Sequence, residues 1–188
     1  MDSAPEKLLS SVQPALQQTV SAYWEDWEVA CEKAGIKTEL MDLAETGKVW
    51  ACSEYIARSC IRRPELLQQL AEEGFDTDRS AEKYAQLVTE AINDAEPGDD
   101  GLMRCLRQLR QQEMVRIAWR DLAGYVDVEQ ILHEVSDLAV AMVDRSLQHV
   151  YTEMTKSLGI PKNADGVPQQ MVVLGMGKLG GRELNFSS

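Results

Sequence analysis

Up to residue 158 the apolar side chains recur every three or four positions; beyond residue 170 four of them stand side by side and run into a glycine. That change of period constrains the fold more than any other feature. Three- and four-residue steps put apolar groups on one face of a helix, whereas a short unbroken apolar run beside glycine suits a buried strand. The chain therefore reads as helix after helix from residue 4 to 158, then a strand over 170–174 and a glycine-rich loop over 175–188. Leu, Ala, Val and Met dominate the apolar content and aromatics make up only 6 %, which also leans helical. At 44 % hydrophobic over 188 residues, the chain has material for a core, which excludes global disorder.

The helix boundaries follow from local chemistry. Residues 11–33 place Ala15, Leu16, Val20, Tyr23, Trp24, Trp27, Ala30 and Cys31 at helical steps. Pro14 marks the start of the regular helix and Gly35 its stop. A short helix is expected over 37–45, and another over 48–62 with Val49, Cys52, Tyr55, Ile56 and Ser59 on one side. Pro64 suits the first helical position of a segment that runs to Gly74. A helix follows from Ser80 to Asn93. The run Asp94–Asp100, with Pro97-Gly98 inside it, is a loop. Asp99 or Asp100 then caps a helix through Trp119. The longest pattern runs from Asp127 to Leu158; Asp127 with Gln130 resembles a capping box, and Gly159 and Pro161 end it. Residues 161–169 form a polar linker. The expected division is a helical region over 1–98 and a second domain beginning at 99 and running to 188.

The net charge of −12 sets the sign of the surface field. Such a surface repels nucleic acid and anionic membrane, so neither is an expected partner. No window approaches ~18 uninterrupted apolar residues, as a membrane span requires. The N-terminus lacks a basic segment followed by an apolar one, so no secretory signal is expected and the cytoplasm fits. Cys31, Cys52, Cys60 and Cys105 form no Cys-x-x-Cys pair and adjoin no histidine, so they read as reduced thiols, with Cys52 and Cys60 as core residues.

The tail reads Met171-Val-Val-Leu-Gly-Met-Gly-Lys-Leu-Gly-Gly-Arg-Glu-Leu-Asn-Phe-Ser-Ser188. A glycine loop after a strand offers backbone N–H groups to phosphate, and such a nest with one lysine can overcome an acidic global field. Gly175-x-Gly177-x-x-Gly180 matches the dinucleotide fingerprint in form, although a ~30-residue βαβ unit is needed to complete that motif. Lys178 is followed by leucine, which argues against a Walker loop. On spacing alone, a tight turn without a ligand and a Rossmann oxidoreductase both stay open. The oxidoreductase requires an acidic residue ~20 positions after the loop.

The residues between the glycines carry more information than their spacing. Gly175-Met-Gly-Lys-Leu-Gly-Gly-Arg-Glu-Leu-Asn-Phe-Ser-Ser188 resembles, without a gap, the signature of the glutamine synthetase adenylyltransferase family. Upstream, Gly101–Arg104, Leu106-Arg107, Arg110 and Met114–Trp119 resemble the helix that precedes its nucleotidyltransferase core. Ser53–Ala57 and Pro64–Leu67 resemble its more variable start. The resemblance implies a mainly α chain here: a helical N-terminal region leading into the first strand and glycine-rich loop of an incomplete α+β, polymerase-β-like nucleotidyltransferase domain. The family carries two such domains, and the wording here resembles the first. That half removes AMP from the tyrosine of modified glutamine synthetase with inorganic phosphate, releasing ADP; the other half transfers AMP from ATP. Glutamine and the PII signalling protein set the balance.

By the same resemblance, Gly175, Gly177, Gly180 and Gly181 shape the loop, Lys178 reaches phosphate, and Ser187 and Ser188 lie at the phosphate edge. No role is implied for Arg182 or Glu183. In the family an Asp-x-Asp pair follows at once. Two carboxylates one residue apart on a strand face one side and can hold Mg²⁺. That pair would lie beyond Ser188. The resemblance thus implies Mg²⁺ with ATP, ADP and phosphate for the full-length enzyme, none held tightly by these 188 residues, and an inactive isolated chain.

Other candidates are weaker. Asp76-Thr77-Asp78 has the Asp-x-Asp form but follows no strand, and reads as a turn with a capping aspartate. Arg104, Arg107, Arg110, Arg116 and Arg120 form the one dense basic stretch; they read as pairing with the abundant carboxylates, or as a partner surface. His133 and His149 have no ligand-type neighbour. Trp24 and Trp27 read as core. A noncatalytic module that docks a protein through its helices also remains open.

Overall fold

The computed structural model describes residues 4–36, 43–74 and 77–187. These form α1 (Ala4–Leu9), α2 (Pro14–Ala34), α3 (Leu43–Cys52), α4 (Glu54–Arg62), α5 (Glu65–Glu73), α6 (Ala81–Asn93), α7 (Asp99–Ala123), α8 (Val128–Leu158) and α9 (Gly177–Gly180). The mainly helical expectation is met. Pro14 opens α2 as expected, and Gly35 ends it in the left-handed conformation at φ 68°, which glycine adopts without a Cβ penalty. Ser80 caps α6 by accepting a hydrogen bond from the Lys83 amide at 3.3 Å. Asp99 and Asp100 fall within the first turn of α7, where their charge complements the helix dipole. Of the helix expected over 37–45, residues 37–42 lie outside the described residues.

Two expected elements need correction. The single helix over 48–62 is two, because Ser53 adopts an extended conformation and its hydroxyl accepts from the Ile56 amide at 3.3 Å. A serine at this position satisfies one of the orphan N–H groups of a new helix and so starts one. The strand over 170–174 does not form: among the described residues the β-type pairing is an isolated antiparallel bridge between Lys162 and Pro168. A strand exists only through a partner ladder, and residues 171–176 meet none.

The chain packs as two compact units, Met1–Asp78 with Met114–Val128, and Arg79–Glu113 with Glu129–Ser188. This packing cuts across the sequence division at residue 98, because α7 supplies residues to both units. The first unit is organised around Trp24, Trp27 and Trp50, with ring centroids 4.9–6.2 Å apart. Val20, Ile56, Cys60, Leu67, Val115 and Trp119 complete the cluster. Close approach of α1 and α3 requires Gly47, since a Cβ there would lie 1.9 Å from the Leu8 carbonyl oxygen. Burial raises the Cys60 thiol to about 12 and the Cys31 thiol to about 11, so both remain protonated and unreactive at neutral pH. Cys52, expected in the core, is exposed because the break at Ser53 ends its helix there.

Two arginines of the basic stretch are interior groups of this unit. Arg116 donates to the Thr77 carbonyl oxygen at 2.9 Å, and Arg120 pairs with Asp78. Glu45 accepts from the Trp119 indole N–H at 2.7 Å and from the Tyr125 hydroxyl. The Asp76 part of the rejected Asp-x-Asp lies outside the described residues. In the second unit Arg79 and Glu113 form a buried ion pair at 2.6 Å, and the buried Tyr84 hydroxyl donates to Glu134 at 3.1 Å. Arg104 pairs with Glu96 at the surface, while Arg107 and Arg110 are exposed.

Candidate functional site

The candidate site lies in the second unit, on the segment after α8. Asn163 organises its approach: the side-chain oxygen accepts from the Asp165 and Val167 amides at 3.0 and 2.9 Å, as an Asx-type turn does. The Gln169 amide donates to the Pro161 carbonyl oxygen at 2.8 Å, closing the linker on itself. The Tyr151 hydroxyl donates to the Gln169 carbonyl oxygen at 2.8 Å and so pins the linker to α8. The apolar run then leads into the glycines. A groove of about 550 Å³ opens between α8 and this run, with Val140, Val143 and Leu147 on one wall and Val173, Gly175 and Leu179 on the other.

Each glycine of the loop has its own geometry. Gly177 takes φ 56°, and the single turn α9 starts on it. Gly180 packs so tightly that a Cβ would lie 2.6 Å from the Gly175 carbonyl oxygen. At Gly175 a Cβ would meet the Leu179 side chain at 3.2 Å. The loop thus doubles back on itself at a separation that only glycine permits at position 180. Gly181 donates its amide to the Gly177 carbonyl oxygen at 2.9 Å. Lys178 is exposed on this turn. The Ser187 hydroxyl donates to the Asn185 side-chain oxygen at 3.0 Å, and Ser188 lies outside the described residues.

The exit from the turn is a feature that sequence reasoning missed. The Glu183 amide donates to the Lys178 carbonyl oxygen at 2.7 Å and the Arg182 amide to that of Leu179 at 3.2 Å. This pair of bonds is a Schellman ending, whose left-handed position ordinarily belongs to glycine. Here Arg182 occupies it, at φ 58°. A side chain in this conformation costs about 1–2 kcal/mol. The Arg182 guanidinium pairs with Asp137, and the Leu184 amide donates to the Ser136 hydroxyl at 3.1 Å. Both partners sit on α8, and Ser136 is fully buried. The sequence shows only two glycines before the arginine, and the fold decides that Arg182 rather than Gly181 takes the left-handed position.

Among the described residues no group of three or more His, Cys, Asp or Glu side chains could hold a metal ion. These residues alone do not compose a magnesium site. Nor does any described helix have the length and apolarity to cross a membrane.

Comparison with known proteins gives a consistent pattern. The profile of the family described as glutamate-ammonia ligase adenylyltransferase matches residues 43–188. A protein of Thioalkalivibrio sulfidiphilus, named bifunctional glutamine synthetase adenylyltransferase/adenylyl-removing enzyme, is 41 % identical over 194 residues, covering 100 % of this chain and 19 % of the relative. Proteins of the same name from Nitrosococcus oceani and Shewanella frigidimarina are 42 % identical over 146 residues and 36 % over 188, covering 74 % and 100 % of this chain. The chain spans 19 % or less of the length of these three relatives.

Proposed function

The chain belongs to the glutamate-ammonia ligase adenylyltransferase family, and from that premise we propose that it is the N-terminal part of an enzyme that reversibly adenylylates glutamine synthetase. Residues 99–188 begin a polymerase-β-like nucleotidyltransferase domain, with 170–174 as its first strand once sheet neighbours are present. Residues 1–98 are the helical region before it. This half is the deadenylylating one. An oxygen of inorganic phosphate attacks the phosphorus of tyrosine-bound AMP, the P–O bond to the tyrosine breaks, the phenolate leaves and takes a proton, and ADP is released. The enzyme acts in the cytoplasm under control of the PII protein.

The observation that carries this reading is the ungapped signature over 175–188, in a loop whose backbone closes at Gly175 and Gly180 to a distance only glycine allows. In this assignment Gly175, Gly177, Gly180 and Gly181 keep the backbone bare toward phosphate. Lys178 supplies positive charge toward phosphate, and Ser187 and Ser188 supply hydroxyl donors. ATP, ADP and phosphate are ligands of the full-length enzyme, with Mg²⁺ on a carboxylate pair that follows Ser188. Family membership displaces the oxidoreductase alternative.

The test is Lys178→Ala in the full-length enzyme. Phosphate-dependent ADP release from adenylylated glutamine synthetase is expected to fall at least about tenfold, as when a charge-stabilising donor is removed. Transfer of AMP from ATP should stay near its starting rate. Unchanged ADP release would reject the site assignment. A polypeptide of residues 1–188 alone is expected to release no ADP.

A further inference from the structure

We propose that Arg182 is a positioning residue, which with Ser136 and Asp137 of α8 latches the exit of the glycine turn and thereby sets where Ser187 lies. This rests on the phosphate-site reading above.

The argument starts from a misplaced side chain. Gly180 and Gly181 immediately precede the left-handed position of the Schellman ending, yet Arg182 fills it. Strain of this kind persists where the surrounding structure over-determines it, and it clusters at functional sites. The side chain explains the retention here: the guanidinium pairs with Asp137. Two residues on, the Leu184 amide donates to Ser136 at 3.1 Å. Ser136 and Asp137 are consecutive on α8, while their partners are 182 and 184 on the loop. Two anchors fix both the position and the direction of the segment, where one would leave it free to pivot. Asn185 follows directly and accepts from Ser187, which carries the fixed geometry toward the phosphate edge. The Arg182 side chain is 55 % exposed, so the pair adds little to stability. Its consequence is geometric.

The experiment uses the full-length enzyme with adenylylated glutamine synthetase and inorganic phosphate. Arg182→Gly relieves the backbone strain and removes the latch. A helix cap alone would leave the rate unchanged and raise the thermal midpoint. The latch predicts that kcat for ADP release falls about tenfold, since small misplacements of reacting groups carry costs of this order or more. KM for the modified glutamine synthetase should stay constant and the midpoint should not fall. Asp137→Arg combined with Arg182→Asp should recover part of the kcat lost by either change alone. Wild-type kcat in Arg182→Gly, or no recovery in the exchanged pair, overturns the proposal. If Lys178→Ala abolishes ADP release while Arg182→Gly does not alter it, the latch fails and the phosphate reading stands. If Lys178→Ala is without effect, the phosphate reading fails and the latch with it.

Discussion

Trp24, Trp27 and Trp50 expose 3 %, 1 % and 1 % of their surface, while Val172, Leu174 and Met176 expose 73 %, 81 % and 83 %. Both sets are apolar, and Trp24, Trp27, Val172 and Leu174 all lie in segments that read as buried from sequence. The difference lies in the backbone. A helix satisfies its own N–H and C=O groups, so α2 and α3 need only side chains from neighbouring helices to close a core. An extended segment needs a neighbouring strand before its side chains can be buried. Apolar content therefore measures what a segment can bury, and the availability of backbone partners decides whether it does. From Val140 onward α8 shows the same incompleteness, with Val140, Val143, Val150, Met154 and Leu158 exposed at helical spacing.

The comparison breaks most readily at the aromatic cluster. Trp50→Ala should destabilise the first unit by about 3–5 kcal/mol, the range for truncating a buried aromatic. Denaturant unfolding followed by far-UV circular dichroism measures this; a loss below 1 kcal/mol, on the order of a surface change, would show that the cluster is not a core. The interior of the second unit holds a buried ion pair. Glu113→Ala strands the Arg79 guanidinium without this carboxylate and should cost about 3 kcal/mol. The exposed counterpart, Arg104→Ala, should cost under about 1 kcal/mol. Equal costs for the two would mean that the buried pair is solvated in solution. The smallest effect belongs to the tail. Leu174→Ser in the 188-residue chain should change stability by less than about 0.5 kcal/mol, as for a surface site. A loss of 2 kcal/mol or more, on the scale of a buried leucine, would show that the run is buried in the 188-residue chain.

Much of the helical layout was legible because its punctuation is local. Pro14, Gly35, Ser80 and Gly159 act through their own backbone and side-chain chemistry, within a turn of where they stand. The break at Ser53 was equally local and was missed: a serine followed by Glu54 is a cap signature, hidden inside a continuous helical pattern of apolar residues. The basic stretch was half legible. Pairing with carboxylates was expected, and apolar residues on nearly all sides from Met114 to Trp119 argue for burial there, but Thr77 and Asp78 as the partners of Arg116 and Arg120 came only from the fold.

The sequence by itself determined most of the helices, the polar linker and the glycine-rich loop, and the wording of that loop determined the family, since those signals reside in adjacent residues. Only the tertiary structure decided that the Trp cluster gathers α2 and α3, that Gly180 abuts the Gly175 carbonyl, and that Arg182 reaches back to Asp137. It also decided that residues 170–174 stay unpaired. Each of these depends on groups that do not adjoin in sequence, or on the absence of a partner, and periodicity and spacing register neither.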